Sequence, residues 1–235
     1  MSYDDFDVDR LADYLRVRPD QVARLAERGK LPGRRIAGQW RFSQAEIHTW
    51  WEDRIGTLDD EELADVEAVL QYSRTRQFPQ FSLAEMMPET AIALPLVART
   101  RNSVITSMVQ LAAGTGLLWD EQRMEDAVRA RENLHPTALD NGVALMHPRR
   151  PMSSILAEPF LALGRTDHGI PFGGGRTLTD IFFLVCSTDD RGHLRCLARL
   201  SRIIGQPAFL SDLRAATDLR EVRPLFEAYE AQLQE

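Results

Sequence analysis

The residues of this 235-residue chain best suited to proton or group transfer are five histidines, His48, His135, His147, His168 and His193. None belongs to an HExxH pair, and no His/Cys cluster has metal-ligand spacing, so neither a metal site nor a cofactor is expected. No GxSxG elbow offers a serine nucleophile. Gly173-Gly174-Gly175 lacks the Lys-Ser/Thr tail of a phosphate-binding loop and reads as a loop between strands. Cys186 and Cys196 lie ten residues apart without a CxxC motif and read as reduced, buried thiols. Taken singly, a histidine after a strand (His147) or at a helix start (His193) reads as structural or exposed, as do His48, His135 and His168.

Two of these histidines sit in more specific surroundings. Arg131-Glu132-Asn133-Leu134-His135-Pro136-Thr137 runs into Asn141-Gly142-Val143-Ala144-Leu145-Met146-His147, and further on stands His193-Leu194-Arg195-Cys196-Leu197-Ala198-Arg199-Leu200. Taken in order, these three segments resemble the signature of enzyme IIA domains of the fructose–mannitol and nitrogen-related class of the sugar phosphotransferase system. The family pattern is RExLxxT, then GxAxPH, then HLxxLxxL, and the resemblance covers about residues 80 to 232. It implies that His147 accepts a phosphoryl group and that His193 hydrogen-bonds or shields it. Arg131 would neutralise its charge, since a planar guanidinium suits a spread-out anion. Thr137 and Asn141 would add donors. Met146 replaces the family's proline, and His135 and Pro136 replace small residues. On the residues alone, Arg131 could equally pair with Glu132 or Asp140.

The net charge of −7 argues against general affinity for nucleic acid, but its distribution is uneven. Between Arg16 and Arg41 eight cations face two anions, a local +6 that suits a polyanion or forms a solvated arginine face. Leu11, Ala12 and Leu15 give one short helix its apolar stripe, and Val22, Leu25 and Ala26 give another, which opens on Pro19 and stops at Gly29. A small hairpin follows, Leu31 to Ile36 and Trp40 to Phe42 around Ala37-Gly38-Gln39, then a helix from Ser43 with capping-box spacing to Glu46. Residues 9 to 52 resemble the MerR/excisionase type of winged helix-turn-helix, with its LAxxL core, RGxLP exit, WRF triplet and tryptophan-bearing third helix. Arg18 stands where that family often has a capping Ser or Thr. The resemblance implies double-stranded DNA as partner. By that resemblance Gln21, Arg24 and Arg28 on the recognition helix, Arg18 and Lys30 beside it, and Arg34, Arg35, Gln39 and Arg41 in the wing would contact the DNA. A small domain of this shape also serves protein contacts.

The elements that must hold the histidines follow from periodicity. Helices are expected at 82–87, 101–114, 119–133, 193–204, 211–216 and 219–234, and strands at 91–96, 143–146, 155–163 and 180–186. Interleaved strands and helices define an α/β class, here a mixed sheet flanked by helices beside a small winged helix-turn-helix. The expected division is 1–55 for the winged domain, 56–79 for a helical connector and 80–235 for the IIA-like domain. In the connector, Leu63, Val66 and Leu70 have helical spacing and read as a dimerisation helix or as a helix packed on its own chain.

Hydrophobic content of 44% and charged content of 27% are ordinary for a soluble globular protein, and no apolar run approaches the ~20 residues a membrane helix needs. The acidic start lacks a signal-peptide pattern, so a cytoplasmic protein without membrane insertion is expected. Three functions fit. The first is a homodimeric transcriptional regulator that senses phosphotransferase state through His147, with a phosphocarrier protein as donor. The second is a phosphocarrier enzyme that serves a transporter domain. The third is a phosphate-inactive IIA-like domain used for protein binding or dimerisation.

Overall fold

The computed structural model describes residues 5–15, 18–55, 63–64, 82–173 and 175–233, within two compact units, Met1–Tyr72 and Ser73–Glu235. The expected connector helix lies outside the described residues apart from 63–64, as does Gly174; the side chain of His48 is likewise outside them.

The first unit contains β1 (Asp5–Phe6), α1 (Val8–Leu15), α2 (Pro19–Glu27), β2 (Arg34–Ile36), β3 (Gln39–Ser43) and α3 (Gln44–Ile55), with an antiparallel sheet ordered β1-β3-β2. Helix α1 opens where Asp7 accepts from the Arg10 N–H at 2.9 Å. At α2 the Arg18 side chain has no acceptor to offer as a cap. Instead the Gln21 side chain accepts from the Arg18 N–H at 3.0 Å, and Pro19 fills the first helical position, where its missing N–H removes no bond. Gly29, at φ +68, ends the segment. Leu11, Leu15, Val22, Ala26, Leu31, Phe42 and Ile47 close the core. Two details differ from expectation. Strand β1 is too short to show any alternation in sequence. The hairpin turn has two residues rather than three, because Ala37 and Gly38 both take positive φ and Gln39 already pairs with Ile36.

In the second unit, residues 83–86 form a turn where a helix was expected over 82–87. Its opening is anchored from the far end of the chain. Glu230 accepts from Ser82 Oγ at 2.7 Å and from the N–H groups of Leu83 and Ala84 at 2.7 and 3.2 Å. A mixed sheet follows, ordered β4-β6-β7-β5, from β4 (Ile92–Ala93), β5 (Val143–Met146), β6 (Phe160–Ile170) and β7 (Thr179–Cys186). Around it run α4 (Arg101–Ala113), α5 (Glu121–Leu134), α6 (Asp190–Ile204), α7 (Pro207–Ala215) and α8 (Leu219–Gln232).

Strand β7 is central and buried apart from Asp180. Phe182, Leu184 and Cys186 join the core with Met108 of α4 and Val128 of α5. Phe183, on the opposite face, meets Phe226 of α8 at a centroid distance of 6.1 Å. Alternation thus feeds helices on both sides. Three expectations need correction. The strand expected at 91–96 shrinks to two residues because Pro95 has no N–H to give the ladder. The strand expected at 155–163 starts at Phe160; Ile155 and Leu156 are apolar because they are buried in the preceding loop. Helix α6 begins three residues before His193, capped by Asp189, which accepts from the Gly192 N–H at 2.8 Å.

Candidate active site

Strands β5 and β7 run parallel with Met146 opposite Leu184, so the residues that leave them, His147 and Ser187, emerge on the same edge of the sheet. Carboxyl ends of parallel strands are where α/β sheets place their ligand sites. The path to His147 is set by Gly142, whose φ of +85 turns the chain into β5. The path to His193 is set by the Asp189 cap, which starts α6 immediately after β7. The two imidazoles meet with ring centroids 4.9 Å apart and planes inclined at 59°.

The nitrogens have assigned roles. His147 Nδ1 lies 3.1 Å from the Pro148 carbonyl. A carbonyl only accepts, so Nδ1 carries the proton and the lone pair of the neutral ring is on Nε2. His193 Nδ1 lies 3.1 Å from Ser187 Oγ. Both rings are buried, with His147 3% and His193 1% exposed. Sequence reasoning, which placed His193 as a helix-start surface residue when taken singly, had no signal for this depth.

The remaining expected site residues hydrogen-bond around the loop that leads into β5. The buried Arg131 donates from Nη1 to the His135 carbonyl at 2.7 Å, which closes the end of α5. Thr137 donates both its N–H, at 3.1 Å, and its hydroxyl to Glu132. Asn141 donates its amide to the Ile204 carbonyl at 3.0 Å and accepts from the Val143 N–H at 3.3 Å. Through these bonds Thr137 and Asn141 shape the loop into β5. Glu132, unremarked in sequence, is the hub of that loop. It pairs with Arg101 at 3.6 Å, and burial pushes its carboxyl above the usual glutamate range despite the opposing Thr137 hydrogen bonds and the nearby Arg101 and Arg131 charges. Ser187 was also missed; only its position at the end of an apolar strand could have pointed to it. His135 and His168 are exposed. Both cysteines are buried and reduced, and burial pushes the Cys196 thiol up to about 12.

In the first unit the basic segment is displayed on α2 and the wing. Arg18, Gln21, Arg24, Arg28, Lys30, Arg34, Arg35 and Gln39 are exposed and Arg41 is half-buried. Both anions of the segment are engaged. Asp20 takes Arg18 at 3.0 Å and Arg24 at 3.3 Å, and Glu27 takes Arg35 at 3.5 Å. Arg35 also lies over Trp40, 5.1 Å from the ring centroid, and Arg41 donates to Gln39 Oε1 at 3.2 Å. The amide oxygen of Gln21 is engaged in the helix cap, accepting from the Arg18 N–H.

Comparison with known proteins defines the class of both units. The model for a helix-turn-helix domain matches residues 6–55, and the model described as phosphoenolpyruvate-dependent sugar phosphotransferase system, EIIA 2, matches residues 85–229. The chain belongs to the EIIA 2 family and carries an excisionase-like helix-turn-helix ahead of it. It is 30% identical over 145 residues to a nitrogen regulatory protein of Bradyrhizobium diazoefficiens, covering 58% of this chain and 92% of that protein. It is 25% identical over 126 residues to the fructose-specific EIIABC component of Bacillus subtilis, covering 52% of this chain but only 19% of the length of that protein. The fold resembles the nitrogen regulatory protein IIA-Ntr of Neisseria meningitidis, with a TM-score of 0.55 at 20% identity over 61% of this chain and 97% of that one. It also resembles mannitol IIA of Escherichia coli, with a TM-score of 0.54 at 18% identity over 60% and 98% of the two chains. The helix-turn-helix points to DNA binding, and the IIA domain to a phosphotransferase or nitrogen-regulatory relation. Among the described residues, no helix is long and apolar enough to cross a membrane.

Proposed function

We propose that this chain is a DNA-binding transcriptional regulator whose IIA domain senses phosphotransferase state by accepting a phosphoryl group on His147 Nε2. The observation that carries this reading is the pairing of His147 with His193, ring centroids 4.9 Å apart, at the carboxyl ends of two parallel strands. A second imidazole at that range can donate a hydrogen bond to a phosphoryl group on the first, and Arg131 supplies positive charge from the end of α5. Phosphoryl transfer asks for little beyond such positioning and charge neutralisation. The donor is a phosphocarrier protein with its own phosphohistidine. Because His147 is only 3% exposed, the donor has to reach a largely buried ring. Phosphorylation adds up to about two negative charges, enough to bias dimerisation or DNA affinity. A winged domain of this size reads few base pairs, so a homodimer on a two-fold site is the expected DNA-bound form.

The burial of both imidazoles, with Met146 in place of the family proline, favours a second reading, a phosphate-inactive IIA domain that binds a protein partner. One experiment separates the two. The full chain is incubated with radiolabelled phosphoenolpyruvate and the general phosphotransferase proteins. Acid-labile label on the wild type that is absent from His147→Ala supports the sensor. A chain that stays unlabelled alongside a labelled IIA control overturns it in favour of the second reading.

A further inference from the structure

Ser187 is bonded to His193 and to the loop that follows His147. It leaves β7 on the edge where His147 leaves β5, and it is almost fully buried. Its carbonyl accepts from the Met152 N–H at 3.0 Å, which ties down the loop that follows His147. Its hydroxyl lies 3.1 Å from His193 Nδ1. The same residue therefore holds the segment that carries one ring and hydrogen-bonds the other ring directly.

The direction of that second hydrogen bond decides what His193 can do. A neutral imidazole has one N–H and one lone pair. If Nδ1 gives its proton to the hydroxyl, Nε2 keeps a lone pair, which repels an anion. If the hydroxyl gives its proton to Nδ1, the ring proton stands on Nε2, and His193 becomes a donor toward a phosphoryl group on His147. A hydroxyl can serve in either sense, so the sense is set by the charge that the pair has to accommodate.

We propose that Ser187 is a positioning residue for phosphoryl transfer at His147, its hydroxyl donating to His193 Nδ1 and so keeping the ring proton on Nε2. No proton leaves Ser187, and no bond to it forms or breaks in the reaction; its effect runs entirely through His193. The consequence for transfer rests on the proposed function, whereas the tautomer of His193 can be read without it.

The test uses the full chain labelled with 15N-histidine. Long-range 1H–15N spectra assign the His193 tautomer in the wild type, Ser187→Ala and Ser187→Cys, the last a near-isosteric replacement whose thiol is a weak donor. The wild type is expected to hold the Nε2–H form and both variants to lose that preference. If Ser187→Ala does not fold, Ser187→Cys gives the reading. With phosphoenolpyruvate and the general phosphotransferase proteins, the variants should label about tenfold more slowly, the order expected from one hydrogen bond, with half-saturation by the donor protein unchanged. An Nδ1–H tautomer in the wild type, or a tautomer and labelling rate that Ser187→Ala leaves in place, overturns the proposal. A wild type that takes no label removes the function proposed above, and Ser187 is then judged on the tautomer alone.

Discussion

Arg199 of α6 and Glu230 of α8 form an ion pair at 3.5 Å with both side chains only 6% exposed. The same carboxylate receives the Ser82 hydroxyl and the N–H groups of Leu83 and Ala84, so one residue at the end of the chain anchors the beginning of the IIA unit to two of its helices. Removing one partner of a buried pair costs about 3–5 kcal/mol. Glu230→Ala should lower unfolding stability by that amount in urea titrations, and Glu230→Gln by less, since an amide oxygen still serves part of the donor set. A Glu230→Ala loss below about 1 kcal/mol would mean that water or a local rearrangement replaces the carboxylate.

Gly142 should tolerate no side chain. Its φ is +85, and an added Cβ would stand 2.8 Å from Arg214 Nη2 and 3.1 Å from Asp180 Oδ1. Those two atoms belong to an ion pair in which Arg214 also donates to the Asn141 carbonyl at 2.9 Å. Gly142→Ala combines left-handed backbone strain of roughly 1–2 kcal/mol with a disturbed ion pair. The midpoint of thermal unfolding should drop, and the His147 ring should shift in NMR spectra because the strand that delivers it begins here. Spectra and midpoint that match the wild type would show that the turn has slack.

These residues also show what was legible before any coordinates. Strand β7 was readable because burial on both faces leaves a continuous apolar run. The second half of β6, Gly164 to Ile170, was not, because it reaches an exposed end of the sheet and carries Arg165, Asp167 and His168. The RExLxxT segment was recognisable while its internal logic was not. Thr137 is bound to Glu132, a contact five residues back that depends on how the loop folds over α5. Glu230 lies on a helix whose other acidic residues face solvent, so nothing local marks it as buried. The meeting of His147 and His193 came from resemblance alone, since 45 intervening positions carry no spacing rule that brings two rings together.

Glu132 gives the IIA unit a pH dependence of defined sign. Burial raises its folded value above that of the unfolded chain, so the fold favours the protonated acid. The stability linked to this group is fully present below the unfolded value, about 4.3, and is lost as pH rises through the folded one. Glu132→Gln removes the titration while keeping an oxygen for Thr137. Its stability relative to wild type should therefore improve between pH 4 and the neutral range. Urea titrations of both chains at a series of pH values check this; a difference that stays flat, or that favours wild type as pH rises, would show that Arg101 and Thr137 outweigh burial.

The exposed cations of the winged unit should divide into two kinds. Arg24 lies on α2, with Asp20 as a salt-bridge partner that it can exchange for a base edge, whereas Arg34 lies on the outer strand of the wing. A base contact is worth about 1–3 kcal/mol and carries specificity, while a phosphate contact weakens binding to all sequences alike and removes about one unit from the salt dependence. Fluorescence anisotropy with a selected binding site, titrated across salt concentrations, should show Arg24→Ala losing discrimination between the selected and a scrambled duplex. Arg34→Ala should lose affinity for both equally, with a shallower salt slope. Asp20→Ala, which removes the competing carboxylate, should strengthen binding to both duplexes. Unchanged affinity in all three variants would move the DNA surface off α2 and the wing and leave this unit as a protein-contact module.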